Sequence, residues 1–252
     1  MRKFRLTEKA LENQVVLITG SAQRVGRVIA ERLAVDGARV VIHYHRSEVS
    51  ARKLVRQLAT RGVEAVCLQA DLSDPFQIKR LVRQTVEHFG TIDILINNAA
   101  IFYRTPFPEI SDHDWEKFMR VNLRAPFLLA REAGRIFLEK KSGQIVNVAD
   151  VGGLRPWGDF IPYSVSKAGL IALTQALAKA LAPHVRVNAV APGPVLLPDD
   201  YSEEEAGISA RRTLLKRVGT AKDVAEAIHF LLTGSDFITG AVVPVDGGRL
   251  IV

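Results

Sequence analysis

Residues 15–26 read VVLITGSAQRVG, and this stretch decides the fold. Its apolar first part predicts a buried strand, Val15–Thr19, and the small residues that follow predict a tight turn that opens a helix. Such a turn lets the backbone approach a pyrophosphate, whose charge the helix N-terminus stabilises. We therefore expect a dinucleotide cofactor here, with Gly20, Arg24 and Val25 among its contacts.

The same strand–helix unit repeats along the chain. The strand candidates are mostly continuous Val/Ile/Leu runs, which is typical of strands buried on both faces of a parallel sheet. The predicted strands are Val15–Thr19, Arg39–Tyr44, Ala65–Gln69, Asp93–Asn97, Gln144–Val148, Val185–Val190 and Val242–Val245. The predicted helices are Gly26–Val35, Ser50–Thr60, Pro75–Phe89, His113–Phe137, Tyr163–Leu181 and Ala221–Thr233. This alternation predicts an α/β fold of the Rossmann type, a doubly wound, mostly parallel sheet of seven strands with helices on both faces.

The domain organisation predicted from this pattern is simple. Residues 1–13 read as a short N-terminal extension, and residues 14–252 as a single dinucleotide-binding domain without a linker. Residues 193–217, rich in Pro, Asp and Glu, interrupt the pattern and read as an insertion near the site. Such insertions are often mobile lids, but the sequence does not decide whether this one closes over a substrate.

Composition and charge exclude several classes of protein. The chain has 252 residues, a formal net charge of +7 and one cysteine, Cys67, so no intrachain disulfide can form. No apolar run approaches the roughly 20 residues that span a bilayer, and no signal peptide is recognisable. The basic residues are scattered along helices, which disfavours nucleic-acid binding. The six histidines do not cluster at metal-ligand spacing. We expect a cytoplasmic protein that binds neither metal, membrane nor nucleic acid.

The end of the second predicted strand indicates which dinucleotide binds. A chain that selects NAD places an Asp or Glu there for the ribose hydroxyls. Here the strand ends in HYHRS, residues 43–47, with no carboxylate before Glu48. Arg46 can form charge-assisted hydrogen bonds with a 2′-phosphate, with His45 and Ser47 beside it, and Arg24 adds a second cation. We therefore expect NADP(H) rather than NAD.

A tyrosine and a lysine supply a candidate proton donor. Tyr163 and Lys167 are spaced i, i+4 at the start of a predicted helix, so both lie on one helix face. A nearby ammonium favours the phenolate, which leads us to expect that Lys167 lowers the pKa of Tyr163.

These elements together resemble the short-chain dehydrogenase/reductase family, from about residue 14 to the C-terminus. The resemblance is carried by the glycine turn, the Tyr163–Lys167 pair, Asn97-Asn98-Ala99, Asn122, Asp71-Leu72, Pro192-Gly193 and residues 245–248. It implies hydride transfer with Tyr163 as proton donor, Lys167 on the nicotinamide ribose and Asn122 in the proton relay. It also implies a homotetramer and further cofactor contacts from Asp71, Leu72, Asn98, Ala99, Ala100, Pro192 and Gly193.

Two departures from the family pattern point to a subgroup. Arg24 stands where the family usually has Gly, and Asp150 stands where it usually has Ser, thirteen residues before the tyrosine. Pteridine reductases share both departures, the HYHRS segment, a Phe at the place of Phe102 and a post-strand loop with paired aspartates, here Asp199 and Asp200. The resemblance implies that Arg24, Phe102, Asp150 and Tyr163 bind the substrate.

The chemistry leads to a first reading and two alternatives. Reduction of a pterin needs hydride at carbon and a proton at nitrogen, and Asp150 beside Tyr163 could relay that proton. We therefore expect an NADPH-dependent reductase of pterin, dihydropterin or dihydrofolate-like substrates. The alternatives are a reductase of 3-oxoacyl thioesters on an acyl carrier protein, or of another carbonyl, and a non-catalytic NADP-binding protein.

Overall fold

The computed structural model describes residues 9–197 and 202–252. Within these residues the strands are β1 (Val15–Ile18), β2 (Arg39–Tyr44), β3 (Ala65–Gln69), β4 (Ile94–Asn97), β5 (Gly143–Val148), β6 (Val185–Pro192) and β7 (Val242–Val245). The α-helices are α1 (Arg24–Val35), α2 (Glu48–Ala59), α3 (Pro75–Phe89), α4 (Asp112–Phe118), α5 (Ala125–Glu139), α6 (Ile161–Leu181), α7 (Glu203–Arg211) and α8 (Ala221–Thr233).

The strands form one parallel sheet in the order β3-β2-β1-β4-β5-β6-β7. The predicted Rossmann-type fold is therefore confirmed, and the sheet is parallel throughout. The strand order reverses between β1 and β4, and in doubly wound sheets a ligand binds in the crevice beyond the carboxyl ends of the strands at that point. The topology thus puts the glycine turn after β1 beside the residues that follow β4.

Each face of the sheet packs against its own layer of helices. In β1, Val16 and Ile18 belong to the core shared with α1, α2 and α8. Val15 and Leu17 point the other way, into the core shared with α3, α5 and α6. All four are fully buried, which explains why the strand reads as a continuous apolar run.

The helix predicted over His113–Phe137 is interrupted, so that prediction was wrong in its middle. α4 ends at Phe118, and residues Met119–Arg124 form a π-helical turn before α5. Pro126, near the start of α5, has no backbone N–H to donate to the residue four positions earlier, so the regular bonding pattern cannot continue through it. The wider turn brings Asn122, which is buried, into the interior of the protein.

α6 is anchored on the sheet by buried polar side chains. Asn97 at the end of β4 donates a hydrogen bond to Asn147 on β5 over 2.8 Å. Asn147 in turn donates to Thr174 on α6, also over 2.8 Å. These bonds set the register of α6 on the sheet, and the helix carries Tyr163 and Lys167 in its first turns. No helix in residues 9–197 and 202–252 combines the length and the apolar character needed to cross a membrane.

The interruption expected at residues 193–217 contains a helix that the sequence pattern did not predict. α7 is capped by Ser202, whose side chain accepts from the amide of Glu205 while the Glu205 carboxylate accepts from the amide of Ser202. This reciprocal cap stabilises the first turn. Asp199 and Asp200 of the expected paired-aspartate loop lie outside the described residues, as do residues 1–8 of the N-terminal extension.

Candidate functional site

The glycine turn after β1 has no room for larger side chains. A Cβ added to Gly26 would lie 2.3 Å from the carbonyl oxygen of Gly20. Gly20 has a φ of +61°, and Arg24 has a φ of +51°. Arg24 thus takes a left-handed conformation that glycine adopts more readily, which accounts for the glycine usual at this position. The amide of Asn98, after β4, donates to Thr19, and its side chain donates to the carbonyl of Gly20.

His43 holds this turn from the neighbouring strand, and the sequence analysis missed it. The amide of Gly20 donates to Nδ1 of His43 over 2.9 Å. The other ring nitrogen, Nε2, therefore carries the proton and donates to the carbonyl of Ala70 over 3.1 Å. Burial lowers the pKa of His43 to about 4, so the ring is neutral. One side chain thus links the ends of β1, β2 and β3 at the mouth of the crevice.

A cavity of about 790 Å³ runs along the carboxyl ends of the strands. It brings together every cofactor contact expected from the sequence: Gly20, Arg24, Val25, His45, Arg46, Ser47, Asp71, Leu72, Asn98, Ala99, Ala100, Tyr163, Lys167, Pro192 and Gly193. Its size suits a dinucleotide, and its glycine turn offers a cradle that a Cβ on Gly26 would fill. The residues present therefore fit a nicotinamide dinucleotide lying from the second strand to Lys167. His45 and Asp71 lie 3.6 Å apart at the β2 end.

The candidate catalytic side chains meet at the other end of this cavity. The hydroxyl of Tyr163 donates to Oδ2 of Asp150 over 2.8 Å. The other carboxylate oxygen, Oδ1, accepts from the amide of Gly152 over 2.7 Å. The ammonium of Lys167 donates to the carbonyl of Val148 over 2.7 Å and lies 5.8 Å from the centre of the Tyr163 ring. The Lys167 ammonium is thus held by the backbone of β5 beside the tyrosine.

The electrostatics of this cluster correct one expectation. Burial, together with the neighbouring carboxylate of Asp150, raises the pKa of Tyr163 well above its ordinary value. We expected Lys167 to lower it, and that prediction was wrong. The reason is that a buried phenol bonded to a carboxylate keeps its proton. Burial also raises the pKa of Asp150 and lowers the pKa of Lys167 to about 8.

Asn122, expected in the proton relay, is bonded to the backbone of the segment after β4. Its side-chain oxygen accepts from the amide of Ile101 over 2.9 Å, and its side-chain nitrogen donates to the carbonyl of Ile101 over 3.0 Å. The same nitrogen donates to Ser166, one residue before Lys167, over 3.2 Å. Asn122 therefore joins the segment after β4 to the catalytic helix.

Aromatic rings form one wall of a second cavity. The ring of Phe102 stacks on Phe160 with centroids 4.8 Å apart and contacts Tyr163 edge to face at the same separation. Since one face of Phe102 is covered by Phe160, a flat ligand can stack only on its other face. Trp157, whose position the sequence left undecided, packs against Phe160 and lies nearly parallel to the ring of Tyr163.

This second cavity, of about 730 Å³, adjoins the first at Tyr163 and Asp150. It is lined by all four expected substrate contacts: Arg24, Phe102, Asp150 and Tyr163. Arg24 spans its edge, because the guanidinium donates to the carbonyls of Leu196 over 2.6 Å and Leu197 over 3.3 Å. The two cavities therefore meet at a protonated tyrosine.

Comparisons with known proteins cover nearly the whole chain. A family model described as enoyl-(acyl carrier protein) reductase matches residues 20–249. The 3-oxoacyl-[acyl-carrier-protein] reductase of Synechocystis sp. is 35% identical over 249 residues, which are 96% of this chain and 99% of that protein. The 3beta-hydroxysteroid dehydrogenase 1 of Eggerthella lenta is 35% identical over 248 residues, 96% and 95% of the two chains. The two relatives are equally similar to this chain, yet their names give different substrates.

A solved structure resembles the fold closely. The crystal structure of a blue fluorescent protein from a metagenomic library, in complex with NADPH, superposes with a TM-score of 0.88 and 32% identity. The match covers 95% of this chain and 99% of that one. The similarity thus extends over nearly the whole chain.

Proposed function

The chain belongs to the short-chain dehydrogenase/reductase family, and from this premise we propose that it uses NADPH to reduce a double bond of a small substrate held against Tyr163. The observation that carries the proposal is the position of the Tyr163 hydroxyl. It lies where the two cavities meet and donates to Asp150 over 2.8 Å. A proton donor at this junction can protonate the atom next to the one that accepts a hydride.

The residues of the site divide the work of the reduction. When bound, the nicotinamide supplies the hydride. Tyr163 donates a proton to the oxygen or nitrogen of the reduced bond, and Asp150, bonded to its hydroxyl, orients it. Lys167 holds the ribose of the cofactor with its ammonium. Asn122 positions the catalytic helix through its bonds to Ile101 and Ser166.

The preference for NADPH over NADH rests on the end of β2. Arg46 lines the cofactor cavity there together with His45 and Ser47, and no carboxylate precedes Glu48 to bind an unphosphorylated ribose. Arg24 adds a second guanidinium to the same cavity. The similar solved structure, which contains NADPH, is consistent with this assignment.

The comparisons favour a 3-oxoacyl thioester as the substrate class. The Synechocystis relative is named a 3-oxoacyl-[acyl-carrier-protein] reductase. The matching family model, described as an enoyl-(acyl carrier protein) reductase, supports the thioester but not the 3-oxo group. The sequence pattern pointed to this substrate class as the alternative to a pterin, and the relatives named above bear the alternative out better. A 3-oxoacyl thioester is therefore the first candidate.

A pterin stays as the second candidate because of Asp150. A neutral hydroxyl can bind a substrate carbonyl, whereas Asp150 is an acid whose pKa is raised by burial, and it can exchange a proton with a ring nitrogen. Phe102, on the wall of the substrate cavity, offers one free face for a flat ring. These two features support reduction of a C=N bond in a flat heterocycle.

One experiment separates these functions. Oxidation of NADPH by the purified protein is followed with acetoacetyl-CoA and with dihydrobiopterin. Turnover of the thioester alone would identify Asp150 as a tolerated replacement for serine, and turnover of the pterin alone would assign Asp150 and Phe102 to a heterocycle. Calorimetric binding of NADPH with turnover of neither substrate would support the non-catalytic alternative.

We also propose that residues 14–252 act as one domain and assemble as a homotetramer through the long helices. The single sheet that runs through all seven described strands supports the first part. Exposed apolar side chains on these helices support the assembly. They are Phe127 and Leu138 on α5, 42% exposed each, and Val165 on α6, 41% exposed. Light scattering of the purified protein would measure the assembly.

A further inference from the structure

The substrate cavity extends well past the catalytic residues. Its inner end is shared with the cofactor cavity at Tyr163 and Asp150, whereas its outer end is lined by α7, the residue after it and the C-terminal turn. A volume of about 730 Å³ is typical of a pocket for a whole drug-sized ligand rather than for a reacting group alone. A substrate that reacts at Tyr163 therefore has room for a tail in the outer end.

Two arginines of this outer end have no acidic partner within the described residues. Arg212 follows α7, and Arg249 begins the 3-10 turn Arg249–Ile251; both line the cavity. Arg104, also in the lining, pairs with Glu205 at 3.7 Å. Among residues 9–197 and 202–252, no hydrogen bond or ion pair engages the guanidinium of Arg212 or Arg249.

The described acids of the lining and of the C-terminal turn do not pair with these arginines. The carboxylate of Asp246 accepts from the amides of Gly248 and Leu250, so it caps the turn that carries Arg249. Asp150 is bonded to Tyr163 and Gly152. The remaining acid of the lining, Asp159, does not pair with either arginine. Among the described residues, the outer end of the cavity therefore carries an excess of positive charge.

The arginines also repel one another. Partial burial, and the charges of Arg212 and Arg155, lower the pKa of Arg249. The repulsion between like charges at one end of a cavity falls when an anion binds between them. A guanidinium is suited to this task, because its planar donors match both a carboxylate and a phosphate.

We propose that Arg212 and Arg249 bind an anionic group, a carboxylate or a phosphate, at the far end of a substrate whose reacting end lies at Tyr163. This inference rests on the proposed function and narrows its substrate class. The two substrate candidates supply the anion from different sources. A thioester of coenzyme A carries phosphates on its tail, and a dihydrofolate carries carboxylates.

The test compares substrates that differ only in their tails. One pair is acetoacetyl-CoA and the acetoacetyl thioester of N-acetylcysteamine, and the other is dihydrofolate and dihydrobiopterin. For each pair, the ratio of kcat/KM with and without the anionic tail measures the tail preference. We expect the wild-type protein to prefer the anionic member of the pair that it reduces, and the pair identifies the source of the anion.

The variant Arg212→Gln/Arg249→Gln should lose this preference, about tenfold or more and through KM, because charge-assisted hydrogen bonds are lost. Poor folding would lower kcat/KM for both substrates of a pair by the same factor and would not by itself change their ratio. A change in the ratio therefore reports on the site. Arg211→Gln is the matched control, since Arg211 lies on α7 next to Arg212 but does not line the cavity. It should keep the wild-type ratio.

Three results would overturn the inference: equal kcat/KM for the two members of the pair in the wild-type protein, an unchanged ratio in the double variant, or an equal loss of the ratio in Arg211→Gln. In each case turnover persists and the proposed function stands. If the protein reduces none of the four substrates, the proposed function fails and the inference fails with it.

Discussion

The Tyr163 hydroxyl donates a hydrogen bond to Oδ2 of Asp150 across a distance of 2.8 Å. The carboxylate is held in place by the amide of Gly152, and the tyrosine by its place in the first turn of α6. Desolvation raises the pKa of both groups. The tyrosine is therefore protonated before the substrate binds and can act as a general acid.

Replacing Asp150 tests whether this pair determines the substrate. If the substrate is a pterin, Asp150→Ser should lower kcat for dihydrobiopterin by about a hundredfold, because a general acid–base partner is lost. The affinity for NADPH, measured by calorimetry, should stay nearly unchanged. Asp159→Ser is the control, since Asp159 lines the same cavity without bonding to Tyr163. An equal loss of NADPH affinity would make Asp150 a structural residue.

The activity should decline above pH 8 because of Lys167. Burial lowers the pKa of this ammonium to about 8, so the free enzyme loses the charge as the pH rises through that value. We expect kcat/KM to fall between pH 8 and pH 9. In Lys167→Arg the guanidinium stays charged, so any remaining activity should not fall over that interval. A wild-type profile that is flat to pH 9 would contradict this role of the ammonium.

His43 should make the fold sensitive to acid. Its folded-state pKa of about 4 lies below the ordinary value of 6.5, so between these values the unfolded chain binds more protons and stability falls with falling pH. The shift corresponds to about 3 kcal/mol, lost progressively from about pH 6.5 to pH 4. Urea unfolding at pH 7 and pH 4.5 would measure it.

The control is His43→Gln, whose side chain can offer one acceptor and one donor but does not titrate. This variant should lose less stability than the wild-type protein between the two pH values. If both lose the same free energy of unfolding, the acid sensitivity comes from other groups.

Arg46 should decide the choice between the two dinucleotides. Arg46→Ala is expected to lower kcat/KM for NADPH by about tenfold or more, because a charge-assisted contact with the 2′-phosphate is removed. The value for NADH should change little. Arg52→Ala gives the control, since Arg52 lies on the neighbouring helix and pairs with Glu48 instead. Equal losses with both dinucleotides would show that Arg46 does not read the phosphate.

The sequence predicted the sheet well because the signals for its strands are local. The bounds predicted for β2, β3 and β7 match the structure. Helix α3 also begins and ends where expected: Asp74 caps its first turn, Pro75 follows, and Gly90 ends it with a φ of +79°. Each of these signals lies within a few residues of the boundary that it marks.

Other features of the site could not be predicted, because they depend on contacts between residues that are far apart in the sequence. Nothing near His43 in the sequence reveals that its ring joins Gly20 to Ala70, because these residues meet only when three strands align. The raised pKa of Tyr163 was missed because its largest cause is burial, which the fold sets, although Asp150 was expected beside the tyrosine. The i, i+4 spacing predicted that Tyr163 and Lys167 share a helix face, but not that Lys167 donates to the carbonyl of Val148.

Trp157 gives the protein a built-in optical probe. The chain has two tryptophans, and the indole of Trp157 lines the substrate cavity and stacks near Tyr163. Its emission must therefore change when a ligand displaces water beside the ring. With Trp115, on α4, replaced by phenylalanine, all remaining indole fluorescence would come from Trp157 in the substrate cavity. Ligand binding could then be titrated without turnover.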